Sequence, residues 1–266
     1  MASQPTPERD RSGTSPEIRK EYNSKDEAWW DDLEGTLTDA EMSPRNILEY
    51  FPAFIRRRDL PVMLARYELF KLIIDLPGCI AELGVQHGAG FFLWSKLMET
   101  FCPGDRSRMV YGFESFSGLQ GFREEDGART GFLSKVEGGM SGDQKMVEDL
   151  VDLHTRDNFL QGIPRCELIA GDIMDTLDEF LETHSGVRFS MLYLDMDLYE
   201  PTLYALEKLE PLVVSGGVIV LDEYAAMPWE GESRAVEEYF RRTGFTPVMK
   251  SFPWAQNPHG YYVKGG

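Results

Sequence analysis

The feature that most constrains the fold is a regular alternation of short apolar runs with helix-like segments, which begins near residue 61. The apolar runs, which we predict to be strands, lie at 79–85, 109–113, 167–170, 189–194 and 218–221. Segments with a helical spacing of apolar residues precede and separate them, at 61–76, 91–101, 143–159, 175–184 and 203–212. Strands without a polar face are typical of a parallel sheet that helices cover on both sides. The pattern therefore predicts an α/β fold with a doubly wound, mostly parallel sheet.

The two ends of the chain depart from this alternation. After a predicted helix at 232–242, two more strand candidates at 247–252 and 260–264 would form a hairpin with an antiparallel edge, giving seven strands in all. Residues 1–27 are rich in Pro, Ser, Thr and charge, which predicts a disordered tail. A small helical extension begins at the Trp29–Trp30 pair, and we expect residues 28–266 to form a single domain.

The charge balance excludes several classes of partner. The 266 residues include 45 acidic and 27 basic side chains, a formal net charge of -18, so the chain lacks the basic footprint of a nucleic-acid binder. Anionic membranes are disfavoured for the same reason, and no apolar run has the length of a membrane span or a signal-peptide core. The three cysteines show no CxxC spacing and no nearby His cluster, which argues against a zinc site. We expect a soluble, cytoplasmic protein that acts on a small molecule.

One Gly-rich connection interrupts the alternation. Between residues 117 and 142 the chain carries Gly118, Gly121, Gly127, Gly131, Gly138, Gly139 and Gly142. A connection of this length inside a compact domain is typical of a lid or a binding loop. A disordered insertion is the alternative interpretation.

The first strand–helix turn has the character of a nucleoside site. Residues 79–90 read CIAELGVQHGAG, so Glu82 ends an apolar strand and Gly84, Gly88 and Gly90 precede the next helix. Glycines there let the backbone approach a ligand closely. The spacing differs from the G-x-G-x-x-G of dinucleotide sites, and the acid would oppose a pyrophosphate but suit the ammonium of an aminoacyl tail. A plain tight turn is the alternative interpretation of these glycines.

Two further strand ends strengthen that interpretation. The second predicted strand ends in Glu114, which could accept hydrogen bonds from both ribose hydroxyls. The third is followed by Gly171, Asp172 and Ile173, and Asp172 could accept from the adenine amine. Asp172 could instead cap the next helix, a role for which Asp175 competes. Three suitable strand ends in chain order favour an S-adenosylmethionine site.

Carboxylates follow the fourth and fifth predicted strands. Asp195 and Asp197 come after the fourth strand, and Asp222 and Glu223 come after the fifth. Neighbouring strands lie about 5 Å apart, so these acids must share a proton or hold a cation. An oxygen-only donor set favours Mg²⁺ or a related hard ion, while helix capping by solvated acids is the alternative. Such an ion would lower the pKa of a substrate hydroxyl, and Asp195 is our candidate for ligand and base.

At these residues the chain resembles the macrocin O-methyltransferase family of sugar methyltransferases in macrolide and related natural-product pathways. The matching stretches are AELGVQHGAG, VYGFESFSGL, LDMDLYEPT, SGGVIVLDEY and SRAVEEYF, spread from about residue 60 to 243. The resemblance implies a Rossmann-like S-adenosylmethionine fold, a divalent metal, methylation of a hydroxyl on a deoxysugar or glycosylated product, and a homo-oligomer.

By motif, the resemblance also assigns roles to individual residues. It implies Asp195, Asp222 and Glu223 as metal ligands, with Asp195 as the catalytic base. The cofactor contacts that it implies are Glu82, Gly84, Val85, Gln86, His87, Gly88, Glu114, Ser115, Phe116, Gly171, Asp172, Ile173 and Asp195. We expect Asp197, Tyr199 and Tyr224 to line the acceptor pocket.

The chain departs from the family pattern at three places. The family usually carries two aspartates where this chain has Asp222 and Glu223, which puts the metal geometry in question. An aromatic and a basic residue usually stand where Gln86 and His87 stand here, and Glu114 replaces the more usual aspartate. The alternatives are a catechol-type methyltransferase, a nicotinamide-dependent oxidoreductase, and a nucleoside-binding protein without catalysis. The glycine spacing and the lack of a Tyr-x-x-x-Lys pair argue against the oxidoreductase.

Overall fold

A computed structural model describes residues 16–127 and 135–265, with side chains from residue 25 onward. It separates into two compact units, one up to Leu60 and one from Pro61. The first unit contains helices α1 (Pro16–Asp39) and α2 (Pro44–Glu49). Residues 16–27, predicted to belong to a disordered tail, are therefore helical, whereas 1–15 lie outside the described residues. Proline suits the first turn of a helix, where no backbone N–H is needed.

The tryptophan pair does provide a packing point in the first unit. The Arg56 guanidinium lies 4.6 Å from the ring centroid of Trp29 and 5.5 Å from that of Trp30. Arg56 also forms an ion pair with Asp26, one turn before the pair on α1. Stacking of a guanidinium on an indole face combines cation–π attraction with apolar contact.

The second unit has the predicted alternation of strands and helices. In chain order its elements are α3 (Leu60–Ile73), β1 (Cys79–Leu83), α4 (Ala89–Phe101), β2 (Val110–Glu114), α5 (Gln144–Asp157), β3 (Cys166–Ala170), α6 (Ile173–Thr183), β4 (Phe189–Leu194), α7 (Tyr199–Leu209), β5 (Val213–Leu221), α8 (Glu230–Thr243) and β6 (Gly260–Val263). None of the helices in the described ranges has the length and apolar content that a bilayer span requires.

The strands form one sheet in the order β3-β2-β1-β4-β5-β6. All neighbouring pairs are parallel except β5 with β6, which is antiparallel. Leu83 at the end of β1 pairs with Phe113 on β2 and with Leu194 on β4, so these strands end level. The strand order reverses between β1 and β4, which opens a crevice at the carboxyl ends of the strands. The α/β class and the antiparallel edge are as predicted.

The described sheet has six strands rather than the predicted seven. The segment 247–252 contributes only an isolated antiparallel bridge between Lys250 and Tyr261. Pro247 has no N–H to donate to a ladder, and the neighbouring Val248 is 71% exposed. The segment packs against the core through the side chains of Met249 and Phe252 instead.

The core lies on both faces of the sheet. Every residue of β1 and β4 is buried, as expected for central parallel strands. One cluster gathers around α6, α7 and α8, and the other around α3 and α4, where Phe70, Phe91 and Trp94 are fully buried. Because both faces are covered, the carboxyl edge of the sheet is left to form a site.

Candidate active site

A cavity of about 750 Å³ opens at the carboxyl ends of the strands. It is lined by most of the residues that the sequence predicted for cofactor and metal: Glu82, Gly84, Val85, Gln86, His87, Glu114, Ser115, Gly171, Asp172, Ile173, Asp195, Asp222 and Glu223. Asp197, predicted to contact the acceptor, lines it as well. The turns after five parallel strands therefore contribute to one cavity at the point where the strand order reverses.

The glycine turn after β1 is shaped by close contacts. Gly84 has a φ of +99°, and a Cβ there would lie 1.9 Å from the backbone oxygen of Asp195. A Cβ on Gly90 would lie 2.4 Å from the Glu82 carboxyl. Gly88 is not among the residues that line the cavity in the described chain, because it is the left-handed N-cap of α4 and faces the ring of Phe92.

Glu82 is held inside the protein beneath this turn. Its side chain is 1% exposed, and Trp94 Nε1 donates a hydrogen bond to its Oε2 at 2.5 Å. Burial raises its pKa to about 7 against the opposing attraction of Arg66. The carboxyl was predicted to serve the ammonium of the cofactor tail, and its engagement with Trp94 leaves it at the wall of the cavity rather than extended into it.

Glu114 ties two ligand-facing loops together at the end of β2. Its Oε2 accepts from the backbone N–H of Gln86 at 2.7 Å, and its Oε1 accepts from Phe116 at 2.8 Å. Both partners have left-handed backbones, with φ values of 49° and 57°. The Phe116 ring packs against the core and is not among the described residues that line the cavity, and its contact with the cofactor stays a prediction.

Asp172 combines the two alternatives that the sequence left open. It lines the cavity, and it is also the N-cap of α6, where its Oδ1 accepts from the Met174 N–H at 2.9 Å. Asp175 lies inside the first turn of the helix and does not take the capping position. One oxygen of Asp172 is thus used by the helix.

Four carboxyl groups, which we call the acid group, line the cavity after β4 and β5: Asp195, Asp197, Asp222 and Glu223. Burial, and then the charge of Asp222, hold the pKa of Asp195 well above its usual range. The same two causes raise the pKa of Asp197 to about 7 and that of Glu223 to about 8. Placing these acids together therefore disfavours their ionisation.

Neutral donors hold parts of the acid group. Tyr193 Oη donates to Asp222 Oδ1 at 2.5 Å, and Asn257 Nδ2 donates to the other oxygen of Asp222. The same Asn257 nitrogen lies 3.3 Å from Glu223 Oε1. The backbone N–H of Glu223 donates to Glu232 Oε1 on α8 at 2.9 Å. These contacts orient the strand-end carboxyls without neutralising them.

The donor chemistry of the acid group suits a hard divalent cation. Its oxygens are carboxylates without sulfur ligands, and a cation would relieve the repulsion that raises their pKa values. Within the described ranges, no three His, Cys, Asp or Glu side chains already stand together as a metal-holding group. Mg²⁺ keeps several of its waters and binds through one or two carboxylates, so a cradle of three is not required.

Arg66 and Asn257 are among the cavity residues that were not predicted from the sequence. Arg66 reaches the cavity from α3, and Asn257 reaches it from the segment before β6. Arg66 stands three, four and seven residues before Leu69, Phe70 and Ile73, which are buried on that helix. A cation within an apolar stripe is the signal that could have identified it. Asn257 carries no comparable signal.

The two tyrosines predicted for the acceptor pocket are used elsewhere, and neither lines the cavity within the described chain. Tyr199 Oη donates to Glu238 Oε2 on α8 at 2.6 Å. Tyr224 packs against the core beside Gly260 at the start of β6. Both tyrosines therefore have the packing role that is ordinary for a tyrosine beside a cleft.

The Gly-rich segment forms part of the cavity wall in the ranges 117–127 and 135–142. Its lining residues are Ser117, Gly118, Leu119, Gln120, Gly121 and Met140. The buried Lys135 ammonium donates to the backbone oxygens of Asp126, at 2.6 Å, and of Pro228. Asp126 in turn accepts from the Tyr199 N–H at 2.7 Å. The described parts are therefore anchored to α7 and to the loop before α8, while 128–134 lie outside the described residues.

The fold and the cavity define a doubly wound α/β domain with a cavity at the switch point of the sheet and a group of acids along one side of it. Comparison of sequences identifies the family: the profile of the macrocin O-methyltransferase family (TylF) matches residues 70–256. The chain belongs to this family. The match covers the residues that line the cavity apart from Arg66, in the first part of α3, and Asn257, which precedes β6.

Curated relatives are similar in their methyltransferase region. The chain is 28% identical over 183 residues to an 8-demethyl-8-(2,3-dimethoxy-alpha-L-rhamnosyl)-tetracenomycin-C 4'-O-methyltransferase of Streptomyces olivaceus, covering 64% of this chain and 61% of that protein. It is 28% identical over 176 residues to a demethyldecarbamoylnovobiocin O-methyltransferase of Streptomyces niveus, covering 62% of this chain and 59% of that protein. The chain thus spans about three fifths of the length of these relatives.

Solved structures agree on the fold. The crystal structure of CalS11, a calicheamicin methyltransferase, superposes with a TM-score of 0.82 at 23% identity, over 99% of this chain and 100% of that one. The O-methyltransferase NovP gives a TM-score of 0.57 at 20% identity, over 76% of this chain and 78% of that one. At such identities the likeness supports the architecture and not a particular substrate.

Proposed function

We propose that the protein is an S-adenosylmethionine-dependent O-methyltransferase that methylates a sugar hydroxyl of a glycosylated natural product. The observation that carries the proposal is the convergence of the glycine turn after β1 and the acid group on one cavity at the switch point of the sheet. By name, the tetracenomycin enzyme to which the chain is similar is a 4'-O-methyltransferase of a rhamnosyl-tetracenomycin, and the novobiocin enzyme is an O-methyltransferase of a natural product.

The residues along the cavity suit the parts of the methyl donor. Glu114, at the end of β2, has carboxylate lone pairs beyond its two backbone contacts and would accept from the ribose hydroxyls. Asp172 and Ile173 would hold the adenine, and the backbone beside Gly84 would approach the methionine tail. A pyrophosphate would instead meet Glu82 and Glu114, which disfavours a nicotinamide dinucleotide.

The reaction is an in-line displacement at the methyl carbon of the sulfonium. The acceptor oxygen forms a bond to that carbon while the carbon–sulfur bond breaks, and its electron pair stays on the sulfur of S-adenosylhomocysteine. The acceptor proton passes to Asp195, which must be ionised to accept it, and a divalent cation beside the acid group would favour that form. Asp222 and Glu223 complete the charged wall beside the reacting oxygen.

A divalent cation fits this site as a cofactor. We propose that Asp195, Asp222 and Glu223 would hold it, where it would lower the pKa of the acceptor hydroxyl and fix its direction. Glu223 is one methylene longer than the aspartate usual in the family, so its carboxyl reaches Asn257 in this structure.

Calorimetric titration tests the cofactor assignment first. S-adenosylhomocysteine and NAD would be titrated separately, each with and without Mg²⁺. We expect heat of binding for the homocysteine nucleoside and none for NAD, because the cavity lacks the glycine spacing of a dinucleotide site. Binding of NAD in place of S-adenosylhomocysteine would overturn the proposal.

Methyl transfer tests the acceptor class. Radiolabelled S-adenosylmethionine would be incubated with neutral deoxysugar glycosides and with catechol acceptors, with Mg²⁺ or with EDTA. We expect label on the glycosides, and less of it after chelation. Transfer to catechols alone would show that the acceptor is a catechol and not a sugar. Undiminished transfer in EDTA would show that the reaction does not need a divalent metal.

A further inference from the structure

Arg66 is a cation built into the wall of the cavity. It stands on α3 among the buried residues Ala65, Leu69 and Phe70, and its guanidinium lies 5.0 Å from the ring centroid of Tyr193 on β4. The side chain thus crosses an apolar layer and reaches the cavity at its floor. A long cationic side chain held there has lost most of its conformational freedom before any ligand binds.

One donor of the guanidinium is left unpaired by the protein. Its Nε is buried and has no hydrogen-bond partner among the described residues. A buried donor left unpaired is unfavourable, and the guanidinium presents its N–H donors in a planar fork that suits a carboxylate. Burial disfavours the charged form of Arg66, but the neighbouring carboxyls of Glu82, Asp222 and Asp195 favour it, and its pKa lies above the ordinary value.

The position of Arg66 indicates which part of a ligand it meets. Glu82 lies one residue before the end of β1 and Asp195 directly follows β4, so these two neighbours of Arg66 flank the point where the strand order reverses. In the proposed function this is the place of the methionine tail, which carries one ammonium and one carboxylate. The acids suit the ammonium, whereas the carboxylate needs a cation or a set of N–H donors.

Few groups in the cavity could serve that carboxylate. Among the lining residues that the structure describes, the basic side chains are Arg66 and His87. His87 is exposed on the glycine turn, while Arg66 is already fixed by packing. A planar guanidinium matches a carboxylate in two parallel hydrogen bonds.

We propose that Arg66 binds the carboxylate of the amino-acid tail of the methyl donor, an inference that rests on the proposed function. The alternative role for Arg66 is structural, as a positive charge that only offsets the repulsion among the acids. The two roles differ in one respect: a carboxylate-binding residue discriminates between ligands with and without that carboxylate.

The test compares S-adenosylmethionine with decarboxylated S-adenosylmethionine, which keeps the sulfonium, the ammonium and the nucleoside. Binding of both to the wild-type chain and to Arg66→Met would be measured by calorimetry. We expect Arg66→Met to weaken S-adenosylmethionine by about 10- to 100-fold, as for loss of a charge-assisted hydrogen-bond pair. Decarboxylated S-adenosylmethionine should bind the variant as well as it binds the wild type, or more tightly, because the cavity loses a positive charge.

Two further variants keep the result interpretable. Lys71→Met removes a cation from the exposed side of α3, where Lys71 pairs with Glu68, and should change neither affinity. Arg66→Lys keeps the charge but loses the fork, so it should show a smaller loss, confined to the carboxylate-bearing ligand. This variant carries the test if Arg66→Met does not fold.

Equal weakening of both ligands by Arg66→Met, or by Arg66→Lys where only that variant folds, would overturn the proposal in favour of the structural role. Unchanged affinity for S-adenosylmethionine would overturn it as well. Failure of the wild-type chain to bind either ligand is a separate result, because it rejects the proposed function and the Arg66 assignment together.

Discussion

Tyr193 and Asp222 are joined by a buried hydrogen bond across neighbouring strands, with 2.5 Å between Tyr193 Oη and Asp222 Oδ1. Tyr193 is fully buried on β4, and Asp222 directly follows β5 with 5% exposure. Burial holds the pKa of Tyr193 well above its usual range, so the phenol stays neutral and remains a donor. The bond therefore fixes Oδ1 of Asp222, while Oδ2 of the same carboxyl accepts a hydrogen bond from Asn257.

The first prediction concerns the energy of this bond. Tyr193→Phe leaves a buried carboxylate oxygen without its donor, and we expect the free energy of unfolding to fall by about 1–3 kcal/mol. Urea denaturation followed by circular dichroism measures it. The matched control is Tyr262→Phe, because the Tyr262 hydroxyl is buried without a partner among the described residues and its removal should be neutral or stabilising. Equal losses in the two variants would mean that the Tyr193 bond contributes nothing specific.

The second prediction separates chemistry from cofactor binding. Asp195→Asn removes the proposed base and one metal ligand but keeps the size of the side chain, so methyl transfer should fall by at least about 10²- to 10⁴-fold. The affinity for S-adenosylhomocysteine should fall far less in calorimetry, because the proposed ribose and adenine contacts of Glu114 and Asp172 remain. Asp178→Asn, on the exposed face of α6 where Asp178 pairs with Lys208, should retain wild-type turnover. Wild-type turnover by Asp195→Asn would show that another group accepts the proton.

The parts of this site that the sequence predicts are those that follow from chain-local rules. An acid or a glycine at the end of an apolar strand lies at the carboxyl edge of a parallel sheet, whatever the helices do. Glu114, Asp195 and Asp222 were placed in this way, and all three line the cavity. The alternation of strands and helices also follows from local sequence, because the spacing of apolar residues and the length of each run distinguish buried strands from helices.

The parts that the sequence does not predict depend on contacts between distant segments. Lys135 reaches the backbone of Pro228, 93 residues away, and Asn257 reaches Asp222, 35 residues away. Tyr199 follows an acid motif but turns toward Glu238 on another helix. Pattern rules identify an element and its faces, whereas the partner of one polar side chain is decided by packing between elements.

The third prediction concerns the junction at Glu114. Glu114→Gln leaves one carbonyl oxygen in place of two carboxylate oxygens, so it can no longer accept from both Gln86 and Phe116. We expect the affinity for S-adenosylhomocysteine to fall by about 10-fold or more, since hydrogen bonds to a charged group contribute about 1.5–3 kcal/mol each. Calorimetry measures this change. Glu167→Gln, an exposed change on β3, should leave the affinity unaltered. A similar affinity in both variants would exclude Glu114 from the ribose site.

The last prediction uses the titration of Glu82. Its pKa is raised by burial from 4.5 to about 7 in the folded protein, so between these values the folded chain holds a proton that the unfolded chain has released. The stability linked to that proton is fully present below pH 4.5 and is lost as pH rises through about 7. A shift of this size corresponds to about 3 kcal/mol.

Glu82→Gln cannot titrate, so its stability should lack this decline. Urea midpoints of the wild type and the variant would be measured at pH 5 and at pH 8, and the wild type should lose about 3 kcal/mol more than the variant between them. The acid group titrates in both proteins, so its contribution cancels in the comparison apart from the effect of the Glu82 charge on the pKa of Asp195. The pH-independent effect of changing the acceptor for Trp94 Nε1 cancels as well. Parallel pH profiles would show that Glu82 keeps the same charge in the folded and unfolded chains, and its contact with Trp94 would then be that of an ionised carboxylate.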